Sequence, residues 1–378
     1  MSADLQIVHL PFNRAGVRRF LEMSHTVYRS DRHWVAPLLI DALSNLSPRN
    51  PFYDHATIEM WVARRGGCDV GRVAAIADRH FRPPSGTPTA FFGFFESTAD
   101  TGVSGRLFET MFAWSRAHGF ERVLGPMNPS ANDECGLLVE GFDSDPTVMM
   151  SYNPAYYPGL IEAAGFGKAR DLLAYEIDLA QSPLQRLERV ARHFGRKNPD
   201  LRLRPLRRRT LAQDLPLLKR IYNEAWEDNW GFTPMTEAEI DFLAGRLRHL
   251  LVEGFAWLAE EAGEPVGLLV NLPDVNQAIK PLAGRLLSRG LPRALPYLLR
   301  LKLPPVCRVL LLGVRPRFRR RGIETVLLYE GLKAAYRAKV RMAEAGWVLE
   351  NNVPVRQTIS HFGGRVTKVY RLYERAVV

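Results

Sequence analysis

The chain has 378 residues, too many for one ordinary domain, and its 46% hydrophobic and 24% charged residues argue against a disordered, collagen-like or membrane-spanning protein. A formal charge of +11 and a pI near 9.8 predict an anionic partner, without choosing among nucleic acid, acidic lipid and a phosphorylated cofactor. Three scattered cysteines (Cys68, Cys135, Cys307) and histidines without HExxH spacing predict no disulfide scaffold, no metal centre and a reducing, cytoplasmic setting.

Taken in chain order, the first half predicts a strand at 6–10, a helix at 15–28, a hairpin at 59–77, a strand at 90–96, a helix at 105–118, a strand at 122–125, a helix at 155–164 and a strand at 170–178. The start at residues 1–4 has no basic region leading into an apolar one, which predicts no secretory signal. No apolar run reaches the roughly 18 residues of a spanning helix. After the 122–125 strand comes a block dense in polar residues that includes Asn128, Asn132, Asp133 and Glu134. It is either a functional loop or an Asx-turn network.

Between 183 and 209, ten bases face only Glu188 and Asp200, a net +8, and we read 181–200 as a basic linker. Neither this stretch nor 280–302 interleaves aromatics as a single-strand nucleic-acid platform would, and no DNA partner is expected.

The second half repeats the order of the first. It predicts a strand at 201–205, helices at 211–226 and 236–251, a hairpin at 255–272, a strand at 308–314, a helix at 323–338, a strand at 346–349, a helix at 355–362 and a closing strand. Trp61 to Gly71 aligns with Trp257 to Gly267 without a gap, and Asn153, Gly165 and Tyr175 recur as Asn351, Gly363 and Tyr373. Two matches in the same order at nearly one offset indicate a tandem duplication. The fold class is then α/β (α+β), two mixed twisted sheets flanked by helices, with domains at 1–180 and 201–378.

An insertion at 277–305 interrupts the second copy. Arg285, Arg289, Arg293 and Arg300 fall on one side of a helical wheel, opposite Leu291, Leu295, Leu298 and Leu299. Pro292 and Pro296 forbid one continuous helix, so two short helices bending at Gly290 are expected. Basic, leucine-rich and acid-free between 280 and 302, the segment is either an interfacial element attracted to anionic lipid or a helix covering the sheet.

The most informative segment is 309–324. An apolar strand ends in a basic turn, and Gly322 opens a helix whose free N–H groups and positive dipole end suit a pyrophosphate. Here the chain resembles the GNAT acyltransferase superfamily, whose strand-to-helix motif V-x-P-x-[YF]-R-x-x-G-[IL]-[GA] cradles coenzyme A. Val314, Pro316, Phe318, Arg319, Gly322 and Ile323 match, and Glu324 departs from the motif. The resemblance implies that Gly313, Val314, Arg319, Arg320, Arg321, Gly322 and Ile323 bind acyl-CoA. Asn352, from the family's next helix, implies a contact to the pantetheine arm. Ile359 stands where the family's usual acid, a tyrosine, would be. The first half lacks the basic turn and reads as a degenerate partner. The 125–142 block resembles that of duplicated GNAT proteins including bacterial ceramide synthases, which implies a lipid-like amine acceptor.

Such chemistry needs a polarised carbonyl, expected at Gly313–Val314, and a general base. Glu350, at a strand end, is the first candidate base, with Asp133 and Glu134 the second. Tyr370, Tyr373 and Tyr222 are candidates for the missing acid. Trp230 and Phe232 lie where the family shapes its acceptor pocket, and Asn128 and Asn132 join them as substrate-binding candidates. The expectation is a cytoplasmic acyl-CoA N-acyltransferase, peripheral at the inner face of the membrane, acting on a lipidic amine. A small-amine acetyltransferase, an aminoacyl-tRNA-dependent transferase and a non-catalytic acyl-CoA-binding module remain as alternatives.

Overall fold

A computed structural model describes residues 4–83 and 85–377. The start of the chain, read above for a leader, lies mostly outside them. The first repeat supplies β1 (Gln6–Leu10), β2 (Ala56–Arg65), β3 (Cys68–Asp78), β4 (Thr89–Ser97), β5 (Arg122–Gly125), β6 (Met127–Asn128), β7 (Glu134–Cys135), β8 (Leu137–Glu140) and β9 (Gly167–Asp178). The second supplies β10 (Leu201–Pro205), β11 (Ala256–Glu261), β12 (Glu264–Pro273), β13 (Val306–Val314), β14 (Met342–Leu349) and β15 (Arg365–Ala376).

These strands form one continuous sheet ordered β1-β2-β3-β4-β5-β15-β9-β14-β13-β12-β11-β10, with β8 also on β15 and β6 and β7 paired as a separate ribbon. The repeats exchange their last strands. β15 pairs with β5 of the first repeat (Tyr373 opposite Gly125), and β9 pairs with β14 of the second (Tyr175 opposite Ala345). Each core therefore contains the other repeat's closing strand: Tyr373 packs with Phe108 and Phe166, and Tyr175 with Leu327 and Ile359. The repeated Tyr175 and Tyr373 are the counterparts in this exchange.

Among the described residues, β4–β5 and β13–β14 are the parallel pairs of the sheet. Their pairing ends at Phe91–Leu124 and at Val309–Ala345, after which each pair diverges. A parallel pair that opens leaves backbone groups on an inner edge without sheet partners. The strands around these openings are near-continuous apolar runs, as burial on both faces requires.

The basic linker is largely helical, Leu184–Lys197, with Leu184, Leu187, Ala191 and Phe194 turned onto the second core and its bases outward. Its apolar residues recur with helical spacing, so the charged face and the packed face belong to one helix. In the insertion, a helix does begin after Gly290 (Leu291–Leu298). The first predicted helix is reduced to Asn276–Ile279 and a single 3-10 turn, Lys280–Leu282.

Candidate active site

β13 is apolar apart from Arg308, and Pro316 turns the chain out of the sheet into a short 3-10 turn, Pro316–Phe318. Gly322, at φ 84°, then swings the chain into the helix Ile323–Arg337. Among the described residues, the successive backbone N–H groups of Arg320, Arg321, Gly322, Ile323, Glu324 and Thr325 have no acceptor in the protein. Donors converging at a helix start make an anion site.

The side chains of the turn are mostly committed elsewhere. Buried Arg315 bonds Glu224 at 2.6 Å and Glu264 at 2.7 Å, Arg317 also pairs with Glu264, and Arg321 pairs with Glu261. Arg319 donates to the Ala225 carbonyl at 2.8 Å and to Asp228 at 3.2 Å. Arg320 is exposed and without an ion pair among the described residues. The turn therefore offers an anion its amides and Arg320, while the other arginines brace it. Phe194 of the linker helix lies against it, 3.5 Å from where a Cβ on Gly322 would stand. Glu324 is half-buried in the first turn of the helix.

Behind the turn, β13 carries an extra residue, Leu310, between the pairs Asn271–Val309 and Val270–Leu311. The bulge sits where β13 parts from β14. Gly313 and Val314 remain paired with Leu268 and Gly267, and Gly313 has no room for a side chain, because a Cβ would lie 2.4 Å from the Trp226 ring.

The matching place in the first repeat is closed. Asp100 caps the helix Thr101–Ala117 by accepting from Gly102 and Val103, and it bonds Arg65 at 2.6 Å. A carboxylate thus occupies the helix start that a phosphate would need. Asn128 Oδ1 accepts from Phe94 N at 2.6 Å, which fills the opening of β4, and a side chain on Gly93 would collide with the Met127 carbonyl. The predicted substrate contact Asn128 is committed inside its own repeat.

Further along that block the chain crosses to the second repeat. Asn132 donates to the Thr233 carbonyl at 3.0 Å and accepts from the Tyr222 hydroxyl at 2.7 Å, and Phe232 lies 5.8 Å from the Tyr222 ring. Trp230 packs against the central core under Arg170. Ser130 donates to Asp133 at 3.0 Å. Burial pushes the Asp133 carboxyl up to about 6 despite that bond. Water reaches the Glu134 side chain, yet surrounding protein strips enough hydration, with the Asp133 charge adding to it, to push that carboxyl up to about 7. The two form a neighbouring carboxylate pair poised near neutral pH.

Facing Glu134 is a buried polar group that the sequence reading did not assemble. Arg308 donates to the carbonyls of Val148 (2.6 Å) and Gly346 (3.0 Å), and its guanidinium lies 5.1 Å from the Trp347 ring centre. Tyr370 is fully buried edge-on to Trp347, and among the described residues its hydroxyl, Trp347 Nε1 and Arg308 Nε have no partner. Buried polar atoms left unpaired are costly, so this group calls for a functional explanation. The signal for Arg308 was a lone base in an otherwise apolar strand.

Glu350 stands apart from this group. It bonds Lys168 at 2.8 Å and accepts from Asp171 N, and the Lys168 ammonium holds its carboxyl below the usual range. That makes it a weak proton acceptor at neutral pH. Asn352 caps the helix Val353–His361 through Val355 N, and Ile359 is core. Tyr373 bonds Glu162. Burial pushes the Cys135 thiol up to about 12, which leaves it inert as a nucleophile. His55, Asp78 and His80 bring possible ligand atoms within 4.8 Å, but the two imidazoles are stacked 3.9 Å apart, so their in-plane lone pairs do not converge on one ion.

Two further features adjoin the site. An apolar cavity of about 100 Å³ lies between the helices Leu211–Trp226 and Glu237–Leu247, floored by Leu310 and Leu311 of β13 and including Tyr222 in its wall. The insertion exposes Leu286, Leu287, Leu295, Leu298, Leu299 and Leu301, with Leu287 at 90% and Leu301 at 79%. Among the described residues no helix is long and apolar enough to cross a membrane.

No protein-family model matches the chain. It is 36% identical to the bacterial ceramide synthase of Caulobacter vibrioides, with 100% of this chain and 98% of that protein covered. It is 33% identical to protein YghO of Escherichia coli, with 98% and 95% covered. The chain belongs to the tandem GNAT acyltransferase family that includes bacterial ceramide synthase. Among solved structures, a tandem GNAT protein from the clavulanic acid pathway matches with a TM-score of 0.60 at 14% identity, 99% of each chain covered. A GCN5-related N-acetyltransferase from Sphaerobacter thermophilus matches with 0.53 at 14% identity, 98% of this chain and 96% of that one covered. These likenesses establish the tandem GNAT fold, and this GNAT chain is an acyltransferase.

Proposed function

We propose that the protein transfers a fatty acyl group from coenzyme A to the amine of a lipid-like acceptor, a reading supported by its likeness to the Caulobacter protein named bacterial ceramide synthase. The observation that carries the reading is the run of unaccepted amides from Arg320 to Thr325 beside the opened edge of β13. That turn would hold the pyrophosphate, with Arg320 the nearest uncommitted charge. Asn352 would meet the pantetheine arm through its amide nitrogen, since its oxygen caps the helix. Coenzyme A supplies the activated thioester.

The chain's own residues do the rest. An amide at the Leu310 bulge or the adjoining strand edge donates to the carbonyl oxygen, on which charge develops in the transition state. Glu134, seconded by Asp133, takes a proton from the acceptor ammonium through water, and the freed nitrogen attacks the carbonyl carbon. The C–S bond breaks as the C–N bond forms, and the second nitrogen proton passes through Tyr370 or Tyr222 or water to the departing thiolate, so that the relaying hydroxyl ends neutral. A base so placed contributes roughly 10²- to 10⁴-fold.

The exposed leucines of the insertion, among Arg285, Arg289, Arg293, Arg300 and Lys302, support seating on an anionic membrane at its cytoplasmic face. The test is mass spectrometry of the purified protein incubated with acyl-CoAs and long-chain amines. An N-acyl product that needs both substrates, and is lost in Glu134→Gln, supports the reading; release of free acid alone, or no product, contradicts it.

A further inference from the structure

The apolar cavity beside β13 has a direction. Along the helix Leu211–Trp226 its wall is one face, Leu211, Leu215, Leu218 and Tyr222, which at 1.5 Å per residue extends about 16 Å. At the near end Tyr222 bonds Asn132, the neighbour of Asp133, and Leu310 and Leu311 belong to the opened stretch of β13. At the far end the Arg248 carbonyl accepts from Arg208 at 2.9 Å. Arg208 in turn lies close enough to Arg300, in the leucine-rich insertion, for its charge to act on that guanidinium.

We propose that this cavity holds the fatty-acyl chain of the thioester, with its carbonyl end at Leu310 and its tail toward Leu211 and Leu247, so that the two helices set the chain length used. The proposal rests on the acyl-CoA reading above. An acetyl group has no use for an apolar slot of this length. The open space is small beside the length of the leucine-lined wall, so a long chain displaces leucine side chains facing one another across the slot. The far end adjoins the leucine-rich insertion proposed above to meet the membrane. The acceptor's amine approaches from the other side, past the exposed Glu134 side chain.

The experiment is an acyl-CoA series from two to eighteen carbons, run on the full chain and on Leu215→Trp and Leu247→Ala. For the unmodified protein kcat/KM should rise about fourfold per methylene up to an optimum. Leu215→Trp should move that optimum to shorter chains and lower the long-to-short ratio at least tenfold, and Leu247→Ala should move it to longer ones. A parallel series of acceptor amines differing in chain length should keep its profile in both variants. As a readout independent of variant folding, acyl-CoA carrying a terminal diazirine should label peptides of the helix Glu237–Leu247 on irradiation, and a diazirine-bearing acceptor should not. An unchanged acyl profile in variants with normal melting curves, labelling elsewhere by the acyl probe, or labelling here by the acceptor probe would overturn the proposal. Failure of the acyltransferase reading itself looks different: the unmodified protein would turn over no acyl-CoA of any length.

Discussion

The Tyr222 hydroxyl, on the first long helix of the second repeat, donates a 2.7 Å hydrogen bond to Asn132 Oδ1 on a segment of the first. This bond joins the wall of the apolar cavity to the segment that carries Asp133 and Glu134. A double-mutant cycle of Tyr222→Phe and Asn132→Ala should give a coupling of about 0.5–1.5 kcal/mol in chemical denaturation. Either single variant should also lower kcat by misplacing the carboxylate pair, and additive effects would show that the bond does not couple the repeats.

For Glu134 the expected loss in the Gln variant is 10²- to 10⁴-fold in kcat/KM, whereas Glu350→Gln, which removes only an ion-paired carboxylate, should cost less than about threefold. Activity of the unmodified protein should rise with pH across the range where the pair ionises, from about 6 to about 7, because only the ionised form accepts a proton. Kinetic pH profiles check both, and a larger loss at Glu350 would reassign the base.

Stability should run the opposite way with pH. An unfolded carboxyl ionises near 4. Asp133 and Glu134 hold their protons to about 6 and about 7 in the folded protein, so between these values the folded state binds more protons and stability falls as pH rises. At pH 8 the Glu134→Gln variant should melt higher than the unmodified protein, and the difference should vanish near pH 4.

Asp100→Ala removes a helix cap and the Arg65 ion pair in the first repeat, and should cost about 1 kcal/mol of stability without weakening coenzyme A binding. Equal loss of binding would mean that the first repeat holds the cofactor too.

Leu287→Glu with Leu301→Glu should strip the protein from anionic vesicles in flotation assays, and raising the salt should weaken the unmodified protein's binding by screening the arginines. Binding that survives both would place the membrane contact elsewhere.

Much of the fold was legible in residue pattern. The strands at 122–125 and 201–205 and the helix at 211–226 fall where their spacing put them, and the repeat pointed to the tandem arrangement. The exchange of β9 and β15 was not legible, since a closing strand has the same alternation whichever sheet it joins. Gly322 and its turn could be found because a left-handed glycine before a helix has a sequence signature. The Arg308, Trp347 and Tyr370 group could not, because residues far apart in the chain meet only once β13, β14 and β15 come together in one sheet. Glu350 illustrates the converse: its place at a strand end fitted a base, and only the fold brought Lys168 against it.

Hydrogen–deuterium exchange of the segment 318–327 with and without coenzyme A tests the central claim most directly. The amides from Arg320 to Thr325, unaccepted in the protein, should exchange fast alone and slow at least tenfold when saturated, with the matching segment 98–105 unchanged. Saturable binding of coenzyme A that leaves 318–327 untouched, or no binding at all, would contradict the account.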